Sequence, residues 1–170
     1  MLLELKDISK SFGSSFLDVY KRQGMNKSLV AYFSASGVTA KTAQALAKAA
    51  NAELFEIKPA EKYSKADLDW TDKNSRSTIE MKNPDSRPAI KEKLIGIENY
   101  DVVFIGFPIW WYTAPAIIKT FLSSYDFSGK KIILFATSGG SSIGDTVDDL
   151  KAVCPNANFI TCLLYTSRCV

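Results

Sequence analysis

The sequence predicts a doubly wound α/β sheet, and three observations predict it. Short apolar runs recur along the chain, at residues 29–33, 54–57, 102–105 and 131–136. Between them, apolar residues fall at helical rather than strand spacing. One run, Val102-Val103-Phe104-Ile105, has no polar alternation, as expected of a strand covered on both faces of a parallel sheet. Alternation of this kind puts helices on both faces of one sheet.

The elements follow in order. Leu29-Val30-Ala31-Tyr32-Phe33 reads as the first strand, and residues 34–39 as a small polar turn. Residues 39–50 are alanine-rich, with Ala43, Leu46, Ala47 and Ala50 on one helical face. Leu54-Phe55-Glu56-Ile57 is a second strand, stopped by Pro59. Residues 59–87 are polar with an isolated Trp70, and read as a long surface excursion that could cover a site. Residues 88–98 are expected to be a helix with Ile90, Leu94 and Ile97 inward. The strongest strand occupies residues 101–107. Ala114, Ile117, Ile118, Phe121, Leu122 and Tyr125 then mark a helix, residues 131–136 a fourth strand, and Ile143, Val147 and Leu150 another helix. Asn158-Phe159-Ile160-Thr161 would begin a fifth strand.

Composition narrows the chemistry. The chain has 170 residues, which suggests one domain, and 46% of them are hydrophobic, enough for a sizeable core. It contains no histidine, which removes every Ser-His or Cys-His arrangement and every histidine metal ligand. The 3 cysteines, Cys154, Cys162 and Cys169, form no C-x-x-C pair, so neither a disulfide framework nor a metal site is expected. Chemistry at neutral pH would have to come from a cofactor. The formal net charge is +3, part of it supplied by the ends. No basic stripe with interleaved aromatics suggests nucleic acid. The longest apolar stretch, at 102–112, is broken by Gly106 and Pro108 and is too short to span a bilayer. The expectation is a cytoplasmic protein with no membrane partner.

In a doubly wound sheet, ligands bind at the C-terminal strand ends, so three loops matter. The first, Ser34-Ala35-Ser36-Gly37-Val38-Thr39, joins a strand to a helix. Its hydroxyls, backbone N–H groups and helix start suit a phosphate dianion. It could equally be a tight turn with Thr39 as the N-cap. The second loop, Pro108-Ile109-Trp110-Trp111-Tyr112-Thr113-Ala114-Pro115, has adjacent tryptophans that cannot both point into one core. At least one should face a ligand, a partner or solvent, and a flat conjugated ring would suit it. Alternatively, one merely covers the sheet edge. The third, Thr137-Ser138-Gly139-Gly140-Ser141-Ser142, offers backbone amides and little bulk, suited to the polar edge of a ring or to an ordinary flexible loop. Together they describe a site for one flat ring bearing a phosphate tail. A dinucleotide site needs G-x-G-x-x-G after the first strand, which is absent, although Glu56 sits at a suitable distance. A phosphorylated receiver domain needs acidic residues where Phe33-Ser34 and Phe107-Pro108 stand.

On these three segments, residues 25–161 resemble the flavodoxin family, in particular its short bacterial members. The resemblance implies a sheet in the order 2-1-3-4-5 and FMN as the cofactor. Ser34, Ser36, Gly37, Val38 and Thr39 would hold the phosphate. The segment Pro108, Ile109, Trp110 and Trp111 would bring the two tryptophans to flank the isoalloxazine. Thr137, Ser138, Gly139 and Gly140 would form the loop at its polar edge. The implied role is an electron carrier with no catalytic residue of its own, serving redox partner proteins or small electron acceptors. An FMN-dependent NAD(P)H reductase of quinones or similar acceptors is the alternative. The family's usual threonine is Ser36 here and its usual Gly-Asn is Gly37-Val38. Well-known carrier flavodoxins are strongly acidic, whereas residues 25–161 are close to neutral.

The two ends read differently. Residues 1–13 resemble the opening of an ABC-transporter ATPase subunit, without the G-x-x-x-x-G-K-[ST] loop that would cradle ATP. Residues 18–23 and 163–170 resemble translated adapter sequence. The expectation is an extraneous extension over 1–24, a flavodoxin-like domain over 25–161, and an extraneous tail over 162–170. The last strand would then be short and the final helix missing, which also raises an inactive truncated fragment as a reading.

Overall fold

The computed structural model of the protein describes residues 27–166, so the ATPase-like opening and the end of the expected tail lie outside the described residues. The elements are β1 (Ser28–Tyr32), α1 (Val38–Ala50), β2 (Glu53–Glu56), α2 (Arg76–Lys82), β3 (Val102–Pro108), α3 (Ala116–Ser124), β4 (Lys131–Ser138), α4 (Thr146–Val153) and β5 (Asn158–Thr166). The five strands form one sheet in the order β2-β1-β3-β4-β5, and every pairing is parallel. This is the doubly wound order that the sequence resemblance implies.

Strand alternation sorts the core into two layers. Leu29, Ala31 and Phe33 of the first strand segment join Val103, Ile105, Phe107, Ile132 and Leu134 against α3 and α4. Val30, Tyr32, Val102, Phe104, Ile133 and Phe135 face the other way, onto Ala43, Leu46, Ala47 and Ala50 of α1. The two-residue period of a strand dictates this division. It also explains why β3 is apolar throughout: residues 102–107 are all buried, because helices cover both sides.

Three expectations are corrected. Residues 88–98 do not form the helix that their spacing suggested. Ile90 bridges Pro59 in antiparallel fashion, Ala60 N–H donates to the Ala89 carbonyl at 2.8 Å, and Lys91 N–H donates to the Lys58 carbonyl at 2.8 Å. The Leu94 N–H is taken by the Tyr125 hydroxyl at 2.7 Å, and only residues Ile97–Asn99 make a short 3₁₀ turn. Ile90, Leu94 and Ile97 still pack on the core; the inward positions were right and the backbone was not. The excursion over 59–87 contains a helix of its own, α2, whose N-cap Ser75 accepts from Thr78 N–H at 3.3 Å. Finally, the fifth strand is not short: its pairing with β4 continues to Ser138↔Thr166, into the stretch read as a tail. The described residues end with this strand.

Gly106 sits where β3 faces Phe135 of β4. A Cβ at residue 106 would lie 2.1 Å from the Phe135 ring, and neither buried strand can retreat. We predict that Gly106→Ala destabilises the protein by about 1–3 kcal/mol, the usual cost of overpacking, and that adding Phe135→Leu recovers part of it. Urea unfolding of the single and double variants measures both.

Candidate functional site

The chain runs from β1 outward to β2 and returns to β3 on the other side of β1, so the strand order reverses between β1 and β3. The loops after β1, β3 and β4 open on the same sheet edge beside this switch point, where open α/β sheets bind ligands.

The first loop is built around the Ser34 hydroxyl, which accepts from Gly37 N–H at 3.1 Å and Ala40 N–H at 3.2 Å. The helix cap is Gly37, with φ 91° and no side-chain cap bond. This corrects the reading of Thr39 as the N-cap. Positive φ favours glycine, and a Cβ there would meet nothing within 4 Å, so the backbone borders open space. By the geometry of any helix start, first-turn N–H groups lack intrahelical acceptors. Ser34 takes that of Ala40, and those of Val38 and Thr39 begin the same turn.

Thr39 has a different task. Its hydroxyl is buried and lies 2.7 Å from that of Thr137 at the end of β4. This bond crosses from α1 to β4 and ties the first loop to the third. In the third loop the Ser138 hydroxyl donates to the Ser141 carbonyl at 2.7 Å and accepts from Gly140 N–H at 3.0 Å. Ser138 therefore shapes the loop from within. Gly139 and Gly140 are exposed, and a Cβ on either would meet nothing within 4 Å.

The second loop separates its two tryptophans. Trp110 packs edge-on to Phe33 and Tyr63, with ring centroids 5.6 Å from each. Phe33 and Tyr63 are themselves 5.8 Å apart, completing a three-ring cluster. Trp111 turns outward and is 43% exposed. Tyr63 comes from the excursion and is fixed by a hydrogen bond to Glu80 of α2 and by the Arg76 guanidinium, 4.1 Å above its ring. Burial, with the bond to Glu80, raises the Tyr63 phenol well above its usual range, so it remains a neutral donor. Cys154, at the C-terminal end of α4, is pushed up to about 11 by burial and stays a thiol at neutral pH.

These loops enclose a cavity of about 630 Å³, lined by Ala35, Ser36, Pro108, Ile109, Trp110, Trp111 and Tyr112. Leu68, Trp70 and Ser77 of the excursion, with Ser141 of the third loop, complete it. The size lies within the usual range for small-molecule sites. Of the residues singled out by sequence, Ser36 and the 108–111 segment line this cavity directly. Gly37, Val38, Thr39, Thr137, Ser138, Gly139 and Gly140 do not line it, and Ser34 lines a neighbouring cavity. Sequence reasoning did not single out Ala35, Leu68, Trp70, Ser77, Tyr112 and Ser141 as wall residues. Trp70 carried a signal in the sequence as a lone tryptophan in a polar stretch that could cover a site; it is 74% exposed.

The fold is a doubly wound α/β sheet with a cavity beside its switch point. The family described as Flavodoxin matches residues 27–169, and the chain belongs to the flavodoxin family. A protein from Bacteroides uniformis assigned to the flavoproteins is 50% identical, with 84% of this chain and 91% of that one covered and a TM-score of 0.81. Its counterpart from Bacteroides eggerthii is 52% identical over 81% and 87% of the two chains, with a TM-score of 0.79. A flavoprotein from Lactobacillus acidophilus, solved in complex with FMN, is 27% identical over 82% and 93%, with a TM-score of 0.66. No curated protein matches the chain. Among the described residues, no helix is long and apolar enough to cross a membrane.

The Thr39–Thr137 pair gives a direct test of how the loops are joined. Thr39→Val or Thr137→Val alone should cost about 1–3 kcal/mol, since a buried hydroxyl loses its partner. The double variant should cost clearly less than the sum, because both hydroxyls leave together. A double-mutant cycle by chemical unfolding measures the coupling.

Proposed function

We propose that the protein binds flavin mononucleotide in the cavity between the three loops and passes electrons through it. The observation that carries this reading is the composition of one chamber. Two adjacent tryptophans form part of its wall, a helix start with Ser36 and Gly37 opens beside it, and the backbone of Gly139 and Gly140 faces open space. A flat aromatic ring, a phosphate and a polar ring edge match those surfaces in turn. The FMN complex of the Lactobacillus acidophilus flavoprotein, 27% identical to this chain, supports the same reading.

The residues divide the work. The amides of Ser36, Val38 and Thr39 and the Ser36 hydroxyl would bind the phosphate at the positive end of α1, with Gly37 letting the backbone come close. Trp110, held by Phe33 and Tyr63, would offer a fixed ring surface, and Trp111 a more exposed one. Pro108 and Ile109 would line the chamber floor. Thr137, bonded to Thr39, would keep the third loop in register with the first, so that Ser138, Gly139 and Gly140 meet the polar edge. Bound there, the flavin supplies the electron and hydride chemistry that no side chain of this chain provides. Its partners would be redox proteins or small electron acceptors.

A second reading has its own observation. A neighbouring cavity of about 400 Å³ shares Ala35 with the first and is lined by Lys58, Lys62 and Lys91 against one carboxylate, Glu56. Lys58 also pairs with Glu92 at 3.6 Å. A predominantly basic chamber beside a flavin suits an anionic reductant such as NAD(P)H, which favours an FMN-dependent reductase.

Titration by flavin fluorescence should show FMN binding at least tenfold tighter than riboflavin; equal affinities would remove residues 34–39 from the site. Trp110→Ala and Trp111→Ala should each weaken FMN binding or shift its reduction potential, and neither effect would leave these residues structural. Under anaerobic conditions, bleaching of the yellow protein by NAD(P)H alone selects the reductase. Reduction only by another protein selects the carrier.

A further inference from the structure

The loop after β3 makes its turn with residues poorly suited to it. Trp110 and Thr113 exchange both backbone hydrogen bonds, at 2.9 and 3.0 Å, and so close a two-residue hairpin. Its central residues, Trp111 and Tyr112, have φ of 47° and 64°. A hairpin of this type is normally built from Asn-Gly, because both central residues must be left-handed. Two bulky aromatic residues there are strained, and such strain persists only where the surroundings over-determine it.

The surroundings are the segment that leads into α4. Gly144, itself at φ 51°, lies so close under Tyr112 that a Cβ would stand 2.5 Å from the Tyr112 carbonyl oxygen and 3.2 Å from its Cβ. The fully buried Thr146 points its hydroxyl at the same Tyr112 carbonyl, 3.4 Å away, and at the carbonyl of Ile143. The Thr113 hydroxyl donates to Asp149 Oδ2 of α4 at 2.8 Å. Backbone contact, hydroxyl and carboxylate thus converge on Tyr112 and Thr113, the second and third residues after Trp110. The same segment continues directly from the third loop, so the tryptophan wall and the glycine loop share one support.

We propose that Gly144, Thr146 and Asp149 are positioning residues for the flavin site. They hold the strained turn so that Trp111 and Tyr112 wall the cavity, and they fix that wall relative to Gly139 and Gly140. None of the three lines the cavity. The inference rests on the FMN reading for its functional consequence, but the clamp itself can be tested without flavin.

The full chain is examined with Gly144→Ala, Asp149→Ala, Asp149→Asn and Tyr112→Gly. Gly144→Ala should lower FMN affinity at least tenfold and shift the midpoint potential of bound flavin. Asp149→Ala should lower affinity several-fold. Asp149→Asn should stay near wild type, because its amide oxygen still accepts from Thr113. Tyr112→Gly relieves the strain at one turn position, so the loss caused by Asp149→Ala should shrink in that background. In the flavin-free protein, the indole N–H resonance of Trp111, assigned with Trp111→Phe, should move in Asp149→Ala while that of Trp110 stays. Affinities and potentials unchanged within twofold, with an unmoved Trp111 resonance, would overturn the proposal. Additive losses in the Tyr112→Gly background, or a resonance that moves equally for both tryptophans, would do the same, since either means a general loss of structure. If wild-type protein fails to bind FMN, the functional reading falls, and the indole resonances still decide the clamp.

Discussion

Everything in the site depends on β3 being hydrogen-bonded on both edges and buried on both faces. β3 pairs with β1 from Ser28↔Val102 and with β4 from Val102↔Lys131. Those registers decide that β1, β3 and β4 end at comparable height, so their loops meet. The pairing extends beyond the strands, through Phe33 N–H to the Gly106 carbonyl and Ile109 N–H to that of Thr137, both at 2.9 Å. A parallel ladder buried this way tolerates almost no slippage, because a one-residue shift would exchange the two core layers.

From that frame the loops are secured to one another as well as to their own strands. Thr39 of α1 reaches Thr137 of β4, Trp110 of the second loop rests on Phe33 of the first strand's end, and Thr113 bonds to Asp149 of α4. Each contact joins segments far apart in sequence. A cavity held this way is organised before a ligand arrives, which reduces the ordering that binding would otherwise cost.

The excursion between β2 and β3 replaces the usual crossover helix with something more irregular. Its α2 is short, and its hold on the body comes from Tyr63 among the aromatic rings and from the 59–90 bridge; the Arg76–Glu80 ion pair within α2, at 2.7 Å, steadies Tyr63 from inside the excursion. Through Leu68, Trp70 and Ser77 it supplies a wall of the cavity that the loops after β1, β3 and β4 do not provide. This departure from the simple alternation gives the chamber its enclosure.

The sequence by itself located the first four strands and the start of the fifth, the helices near 39–50, 114–125 and 143–150, and the three loops that open on one sheet edge. Their signals are local: apolar period, glycine at a turn, and hydroxyls at a helix start. The resemblance carried by the same three segments supplied the strand order. Tertiary structure decided what local pattern could not. Ile90, Leu94 and Ile97 have helical spacing, yet pairing of 89–91 with 58–60 outweighed it, since spacing records which side chains face inward and not which backbone delivers them. Thr39 reads as a cap until Thr137 is beside it. Trp110 and Trp111 are equivalent in sequence, and only the rings of Phe33 and Tyr63 and the left-handed turn at 111–112 make one an inner support and the other an outer wall. Those distinctions arise from contacts across the sheet, which no window of neighbouring residues contains.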